Sequence, residues 1–381
     1  MRSYPMPPNF DAHTEYTTGI LASQTIKGMI ASGKIISEAS IIEKQIQPAS
    51  IDLRLSSVAY RVQASFLPGQ NATVQEKLKT MEMHQIDLSN GAVLEKGCVY
   101  IVPLQESLRL NSGISGTANP KSSTGRLDVF TRLLTDYTSE FETVCSGYNG
   151  PLYAEISPRT FSILVRASST LNQLRFRKGH PVAADSAMRK LQETEGLIGS
   201  EKSKIDINNG VAISVDLSGQ AKNGLIGYRA KPHTAIVDID KPGSCSVLDY
   251  WEPVYKQKNR PANLILNPDE FYILMSKEFV TVPVNYAAEM RAYDTKVGEF
   301  RVHYAGFFDP GFGHKSAGGE GTRAVLEVRS HDVPFLIEDG QTVCRLIYER
   351  MTQVPERLYG TQDFGSNYQG QGLKLSKHFK E

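Results

Sequence analysis

An internal repeat is the feature that most constrains this chain. The apolar segment around Tyr100 has a counterpart around Tyr272, and the segment around Glu155 has one around Glu327, with both pairs 172 residues apart. A common offset in two separate segments predicts a tandem duplication of one domain. The length of 381 residues suits two domains of ordinary size.

The residue pattern of both halves predicts antiparallel strands, because short apolar or alternating runs recur between Gly, Pro, Ser and Asn residues. In the first half they include ASIDLRLSS, KGCVYIVPLQESLRL and GPLYAEI, which are answered by AISVDLSG, FYILMSKEFVTV and RAVLEV in the second. Two short helices are predicted, one capped by Ser23 and ended by Gly33, the other running from a cap at Asp185 to Gly196. We expect a first β domain at 1–180, a helical linker at 181–205 and a second β domain at 206–381.

Composition excludes several classes of partner. The chain has 42 Lys and Arg against 41 Asp and Glu, so it has no overall positive field to attract nucleic acid. No apolar run is long enough to span a membrane, and the first residues lack the apolar core of a signal peptide. We therefore expect a cytoplasmic protein that binds neither nucleic acid nor membrane. The cysteines are too scattered for a thiolate zinc site: Cys98, Cys145, Cys245 and Cys344.

The stretch NPKSSTGRLDV, from Asn119 to Val129, contains the residue types of an anion-binding site. Serine hydroxyls, the N–H groups of a glycine-containing turn and two cations at close spacing can all bind phosphate oxygens. The stretch is not a P-loop, since GxxxxGK[ST] is absent. A plain polar surface turn is the alternative interpretation.

Glu155 and Glu327 each interrupt an apolar strand at the same position of the repeat. A carboxylate there either faces solvent on an alternating strand or lines a polar pocket. A partly buried carboxylate is what general acid–base catalysis requires, and its recurrence favours the pocket.

Together these motifs resemble the dUTPase/dCTP deaminase superfamily. KSSTGR is similar to its phosphate-binding motif, with Lys121 in place of the usual arginine. HYAGFFDPGFG followed by AVLEV resembles its base-pocket hairpin and catalytic strand, and IQPASIDLRL its early strand. The tail LYGTQDFGSNYQGQGLKLSKHF resembles the C-terminal arm that closes over the nucleotide. The best match is the double-length, two-domain dCTP deaminase group.

The resemblance implies a fold of two dUTPase-like β-barrels of the distorted jelly-roll type, with few short helices. It also implies a homo-oligomer with three-fold contacts. Because the Asp-Pro-Gly turn occurs only in the second half and the serine pair only in the first, we expect a composite site. It would join Ser122, Ser123 and Arg126 of one domain to Asp309 and Glu327 of another. The implied substrate-binding residues are Lys121, Ser122, Ser123, Asp309, Tyr359, Tyr368 and Gln371.

The implied reaction is the deamination of dCTP to dUTP and ammonia at a centre without a protein-bound metal or cofactor. Zinc deaminases carry HxE followed by PCxxC, and this chain lacks that combined signature because it has no PCxxC. Mg²⁺ would arrive with the triphosphate. The implied catalytic residues are Glu327 or Glu155 as proton shuttle and Arg126 as stabiliser of charge. Hydrolysis of dUTP, alone or coupled to deamination, and a non-catalytic nucleotide-binding regulator remain the alternatives.

Overall fold

Strands dominate the chain, and only a few short helices accompany them. The computed structural model describes residues 16–199, 205–219, 223–292, 300–302, 306–330, 332–361, 370 and 372–380. This confirms the prediction of a mainly β protein with few helices. No helix within those ranges is long and apolar enough to cross a lipid bilayer.

The strands of the first half form two principal sheets. Their bounds are β1 Gly19–Ile20, β2 Ile35–Ser37, β3 Ile51–Arg54, β4 Val58–Val62, β5 Glu82–Asp87, β6 Ala92–Leu94, β7 Val99–Arg109, β8 Ile114–Pro120, β9 Val129–Thr135, β10 Thr143–Val144, β11 Asn149–Pro158, β12 Ile163–Val165 and β13 Thr170–Lys178. One sheet has the order β1-β13-β8-β10 with β3 also on β13, and the other has the order β5-β4-β7-β11-β9 with β2 also on β7.

The second half repeats both sheets. Its strands are β14 Ile198–Gly199, β15 Val211–Ser214, β16 Leu225–Ala230, β17 Val237–Asp238, β18 Cys245–Ser246, β19 Trp251–Tyr255, β20 Asn263–Leu266, β21 Phe271–Val280, β22 Tyr286–Ala292, β23 Phe300–Val302, β24 Phe307–Phe308, β25 Thr322–Ser330, β26 Phe335–Glu338, β27 Thr342–Arg350 and β28 Phe379–Lys380. Their orders are β15-β27-β22-β24 and β19-β16-β21-β25-β23, with β14 also on β21.

Strand pairing keeps the offset seen in the sequence. Glu155 lies opposite Ile101 in the β11–β7 pair, and Glu327 lies opposite Ile273 in the β25–β21 pair. Because a slip of one residue would turn every side chain to the other face, the shared register gives both glutamates the same local backbone setting.

The helices are α1 Ser23–Ala31, α2 Val74–Met81, α3 Ser122–Gly125, α4 Asp185–Glu195 and α5 Val247–Tyr250, with single 3₁₀ turns at Glu43–Gln45 and Lys315–Ala317. Both predicted helices exist, but the predicted caps are wrong by one residue.

The cap positions belong to Ala22 and Ala184, neither of which makes a side-chain cap. The carboxylate of Asp185 instead accepts hydrogen bonds from the backbone of Asn209 and Gly210, at 2.9 and 3.3 Å. The Asp185 side chain thus binds the backbone of a loop distant in sequence and does not cap the helix.

The two halves share one hydrophobic core cluster. First-half residues such as Leu53 and Phe161 pack in the same cluster as Trp251 and Ile273 of the second half and Phe379 near the C-terminus. Strand β17 of the second half also pairs in parallel with β12 of the first. The halves therefore meet across a buried apolar boundary, which positions the cleft between them.

Candidate functional site

A cleft of about 930 Å³ opens between the two halves. Its walls come from the turn that contains α3, from the hairpin around β24, from strand β25 and from the C-terminal segment. The predicted residues that line it are Lys121, Ser122, Ser123, Arg126, Asp309, Glu327 and Tyr359. The structure thus brings the two sets of the predicted composite site together within a single chain.

The phosphate-motif turn is a single helical turn between β8 and β9. The amides of Thr124 and Gly125 donate to the carbonyl of Lys121 at 2.8 and 3.0 Å. Ser122 is half-buried on the cleft wall, whereas Ser123 is buried. The ammonium of Lys121 contacts Asp52 and donates to the Thr170 hydroxyl at 2.9 Å.

Arg126, at the end of that turn, is only 4 % exposed. Its Nη1 donates to the carbonyl of Lys374 at 3.0 Å. The Ser376 hydroxyl donates to the carbonyl of Ser123 at 2.7 Å. The C-terminal segment therefore contacts the turn at two points, Arg126 and Ser123.

Glu327 faces the same cleft from β25 and is 7 % exposed. Burial raises the pKa of its carboxyl well above the ordinary value. The positive charge of Arg126 opposes that shift, and the negative charge of Asp128 adds to it. Arg126 and Glu327 are thus electrostatic neighbours contributed by different halves, and a carboxylate with a raised pKa is a stronger base than an exposed one.

Asp309 ends the hairpin and is held by a side chain that the sequence analysis did not identify. Arg175 of β13 donates to its Oδ1 at 3.2 Å, donates to the carbonyl of Ala288 at 3.1 Å and lies 4.0 Å over the Phe307 ring. Burial raises the pKa of Asp309, while the charge and hydrogen bond of Arg175 lower it. Because Arg175 lies 134 positions away in the sequence, no local pattern indicates this pair.

The segment from Asp309 to Gly313, which begins with the Asp-Pro-Gly turn, requires a glycine at its end. Gly313 has φ +64, and a Cβ there would lie 2.2 Å from the carbonyl oxygen of Val280. Tyr359 is fixed to the same turn, since its amide donates to the carbonyl of Pro310 at 2.9 Å. Its ring lies 5.7 Å from that of Phe312, so the start of the C-terminal segment packs on the hairpin.

Glu155 is not among the residues that line the cleft. It is 1 % exposed and forms an ion pair with Arg132, which lies directly opposite on β9, with Nη2 and Oε1 2.5 Å apart. The Arg132 guanidinium lies 3.4 Å from the centroid of the Phe141 ring. The structure therefore places Glu327 in the cleft and Glu155 outside it, in an ion pair with the partly exposed Arg132.

Further charges line the cleft at positions that motif reasoning did not single out. Lys377 is half-buried, and burial followed by the charge of Lys121 lowers its pKa. His378 is buried, with Nε2 2.8 Å from the carbonyl of Ile239, and burial lowers its pKa to about 4. Lys44 lines the wall beside them. The predicted residues Tyr368 and Gln371 lie outside the described residues.

The described part of the chain holds no group of three or more His, Cys, Asp or Glu side chains placed to bind a metal. What the cleft does hold is cations at the turn and the C-terminal segment, and two buried carboxyls on the opposite wall. This arrangement suits an anionic ligand that also presents a group able to exchange protons.

Solved structures and curated proteins include close and distant relatives of this chain. The crystal structure of 2'-deoxycytidine 5'-triphosphate deaminase from Agrobacterium tumefaciens matches with a TM-score of 0.84 and 57% identity, over 90% of this chain and 100% of that one. A protein of Methanosphaera stadtmanae named "dCTP deaminase, dUMP-forming" is 30% identical over 142 residues, which are 36% of this chain and 68% of that protein. The protein of the same name from Streptomyces coelicolor is 32% identical over 120 residues, or 30% and 58%.

These curated relatives are therefore matched over about half to two thirds of their own length. Two family models cover nearly the whole chain in order. Residues 17–180 match the N-terminal domain of 2'-deoxycytidine 5'-triphosphate deaminase, and residues 184–379 match its C-terminal domain. The chain belongs to the 2'-deoxycytidine 5'-triphosphate deaminase family.

Proposed function

We propose that this protein deaminates dCTP by hydrolysis, without a protein-bound metal. The observation that carries the proposal is the meeting of Arg126 and Glu327 across one cleft, one from the half with the serine pair and the other from the half with the Asp-Pro-Gly turn. Family membership over nearly the whole chain supports the same activity.

In the proposed complex, the triphosphate lies against the turn that carries Ser122 and Ser123. Lys377 adds positive charge to that end of the cleft, and Mg²⁺ enters with the nucleotide rather than as a resident ion. The cytosine ring lies against the hairpin near Asp309, with Tyr359 packed beside it. Tyr368 and Gln371 contribute to closure in this proposal on the strength of the family resemblance alone.

The chemistry follows from these positions. Ionised Glu327 accepts a proton from water as the water oxygen attacks C4 of cytosine, which gives a tetrahedral adduct. Arg126 stabilises the charge that develops there. Glu327 then transfers the proton to the amino group, the C4–N4 bond breaks and ammonia leaves. The remaining hydroxyl proton moves to N3 as the C4 carbonyl forms, which gives dUTP.

A second candidate is a coupled reaction that continues from dUTP to dUMP and pyrophosphate. The printed names of the curated relatives favour it, since they are called dUMP-forming. Water would then attack the α-phosphate, with Asp309 as the base. The hydrogen bond from Arg175 occupies Oδ1 of Asp309 and leaves one carboxylate oxygen for this role, while burial keeps the pKa of Asp309 raised despite that contact.

Product analysis tests these functions directly. The purified protein is incubated with Mg²⁺ and either dCTP or dUTP, and the products are separated by chromatography. Ammonia and dUTP from dCTP, with dUTP left intact, support the deaminase. Formation of dUMP from both substrates supports the coupled reaction. Binding of dCTP without any product would overturn both in favour of a regulator.

The phosphate-binding role of the turn predicts the effect of Ser122→Ala. Losing one hydrogen bond to a charged oxygen costs about 1.5–3 kcal/mol, so KM for dCTP should rise by roughly 10-fold or more. Ser56→Ala is the control, since Ser56 does not line the cleft. Unchanged KM in Ser122→Ala, with unchanged thermal stability, would mean that the stretch is only a polar turn.

For the architecture, we propose two dUTPase-like distorted jelly-roll barrels, divided at 1–180, 181–205 and 206–381. The repeated sheet orders and the shared offset support the duplication. We also propose a cytoplasmic homo-oligomer with three-fold contacts. Sedimentation analysis tests the assembly, since a purely monomeric species at micromolar concentration would contradict it.

A further inference from the structure

A second buried charge pair lies two residues beyond each member of the Arg126–Glu327 pair. Arg329 of β25 contacts the carboxylate of Asp128 through Nη2. The two side chains are 4 % and 1 % exposed. Arg126 and Asp128 belong to the first half, and Glu327 and Arg329 belong to the second. The two pairs therefore lie next to each other across the boundary, and the first half supplies the positive charge in one pair and the negative charge in the other.

The backbone explains why both pairs can form. Glu327 and Arg329 lie two residues apart on β25, so their side chains share one face of the strand. Asp128 has φ +55, a left-handed conformation that aspartate tolerates better than most residues. Its amide donates to the Gly125 carbonyl, and its carbonyl accepts from the Arg159 amide, both at 2.8 Å. These bonds hold its side chain toward the second half.

Thr160 completes the arrangement. Its hydroxyl donates to Oδ2 of Asp128 at 2.5 Å and accepts from Nη2 of Arg329 at 2.9 Å. Arg329 Nη1 also donates to the carbonyl of Asp269 at 2.6 Å. With these partners the buried ion pair has fixed geometry, and removing one member would leave an uncompensated charge close to the catalytic carboxyl.

We propose that Asp128 and Arg329 are positioning residues that hold Arg126 against Glu327 and balance the charge around that carboxylate. The inference rests on the proposed deaminase function and adds two residues to it. The same contacts could instead serve only to clamp the halves together, so the test must separate the two roles.

The two roles can be distinguished by charge. In a positioning role, Asp128 and Arg329 shift the pKa of Glu327 in opposite directions. The charges on the facing turn are Lys121, Arg126 and Asp128, and Asp128 raises the pKa of Glu327. Arg329 lies on the same strand as Glu327 and is the countercharge of Asp128. In the same cleft, the hairpin carries Asp309 and the C-terminal segment carries Lys377.

The experiment measures kcat/KM for dCTP against pH in Asp128→Asn and Arg329→Gln. Ionised Glu327 is the active form, so activity falls as pH falls through its pKa. Asp128→Asn removes a negative charge and should move this acid limb to lower pH. Arg329→Gln removes a positive charge and should move it to higher pH. Each shift should be about one pH unit, the lower end of the effect of a close charge. The ionisations of dCTP itself are common to every variant.

Arg329→Lys keeps the charge and should retain the acid limb of the unaltered protein. The matched control is Asp216→Asn. Asp216 pairs with Arg323, which is also on β25, but neither residue lines the cleft. This variant should lose stability without moving the acid limb. Loss of thermal stability in Asp128→Asn and Arg329→Gln with no shift, or shifts in the same direction, would reduce the pair to a clamp and overturn the proposal.

A direct measurement keeps the test independent of turnover. The pKa of Glu327 is followed by NMR of protein labelled with ¹³C at the glutamate carboxyl, with Glu327→Gln used to assign the signal. Opposite pKa shifts in the two variants support the positioning role even if the protein does not release ammonia from dCTP. Equal pKa values in both variants contradict it whatever the activity.

Discussion

Glu327 and Glu155 occupy the same position of a repeated strand but have different surroundings. Glu327 lies in a cleft, where burial dominates its pKa. Glu155 lies against Arg132 on the neighbouring strand. Equivalent backbone positions therefore do not give the two glutamates the same role. The side chains on the adjacent strand and on the facing half determine what each carboxylate contacts.

Glu327→Gln should abolish deamination while dCTP still binds, since an amide keeps the shape but cannot accept the proton of water. It should also stabilise the fold at neutral pH. With a raised pKa, folded Glu327 holds its proton more tightly than the unfolded chain does, so its ionisation costs stability as pH rises above the unfolded pKa of about 4.3. Thermal unfolding should show a gain that shrinks toward pH 4. A variant with retained turnover would remove Glu327 from the mechanism.

Glu155→Gln should show the reverse pattern. Weakening the partly buried, charge-assisted hydrogen bond to Arg132 costs about 1.5–3 kcal/mol of stability, while kcat for dCTP should change little because the side chain lies outside the cleft. Denaturant unfolding and steady-state kinetics measure the two effects. Loss of turnover without loss of stability would place the active centre in the first half.

Some of these residues could be predicted from the sequence, and others could not. The KSSTGR turn and the Glu327 strand are local patterns, so their positions are readable. Arg175 and Arg329 act through partners 134 and 201 positions away, and only the folded chain brings those partners together. The sequence favours Glu327 over Glu155, because only its half carries the Asp-Pro-Gly turn, but the ion pair of Glu155 with Arg132 is visible only in the folded chain.

At the scale of elements, the C-terminal segment is the one that joins structure to the site. Leu373, Leu375 and Phe379 are buried in the core cluster shared by both halves. The Phe379 ring lies 5.4 Å from Tyr250 and 5.7 Å from Trp251. The segment is therefore anchored by aromatic packing, and Lys377 extends from this anchored stretch into the cleft.

Phe379→Ala should lower the free energy of unfolding by about 3–5 kcal/mol, as is usual for a buried phenylalanine. It should also raise KM for dCTP, because Lys377 loses its fixed support. Leu336→Ala is the control at an exposed apolar position, where the change should stay within about 0.5 kcal/mol. Wild-type KM in the destabilised variant would separate the anchor from substrate binding.

Helix prediction succeeded where a periodic apolar face met a clear terminator, as with Gly196 after α4. Helix α2 was missed, although Thr73 and Glu76 form a capping box at its start. That signature is visible in the sequence. Helix α2 has only eight residues, so its apolar face is too short to be distinguished from the surrounding strand pattern.

At the scale of the whole molecule, the cleft needs one motif from each half. The second-half counterpart of the serine turn reads MRAYDTKVGE at 290–299 and lacks the serine pair. Glu155, the counterpart of Glu327, is paired with Arg132. The two halves together therefore hold a single matched set of motifs.

Calorimetric titration of Glu327→Gln with dCTP should give one nucleotide per chain. The inactive variant is used so that the ligand stays unchanged during the measurement. Arg126→Ala in the same background should remove most of the binding heat. Two nucleotides per chain would mean that Glu155 serves a second site with a neighbouring chain.

The covalent join between the copies also bears on how such a site can change over generations. In a ring of identical subunits, one gene specifies both walls of every shared site, so any replacement appears in every subunit at once. Here the codon for Asp128 touches one wall and the codon for Arg329 touches the other. Because the two halves of this chain are not identical, a replacement in one half leaves its counterpart in the other unchanged, and a reciprocal charge pair can be established one substitution at a time.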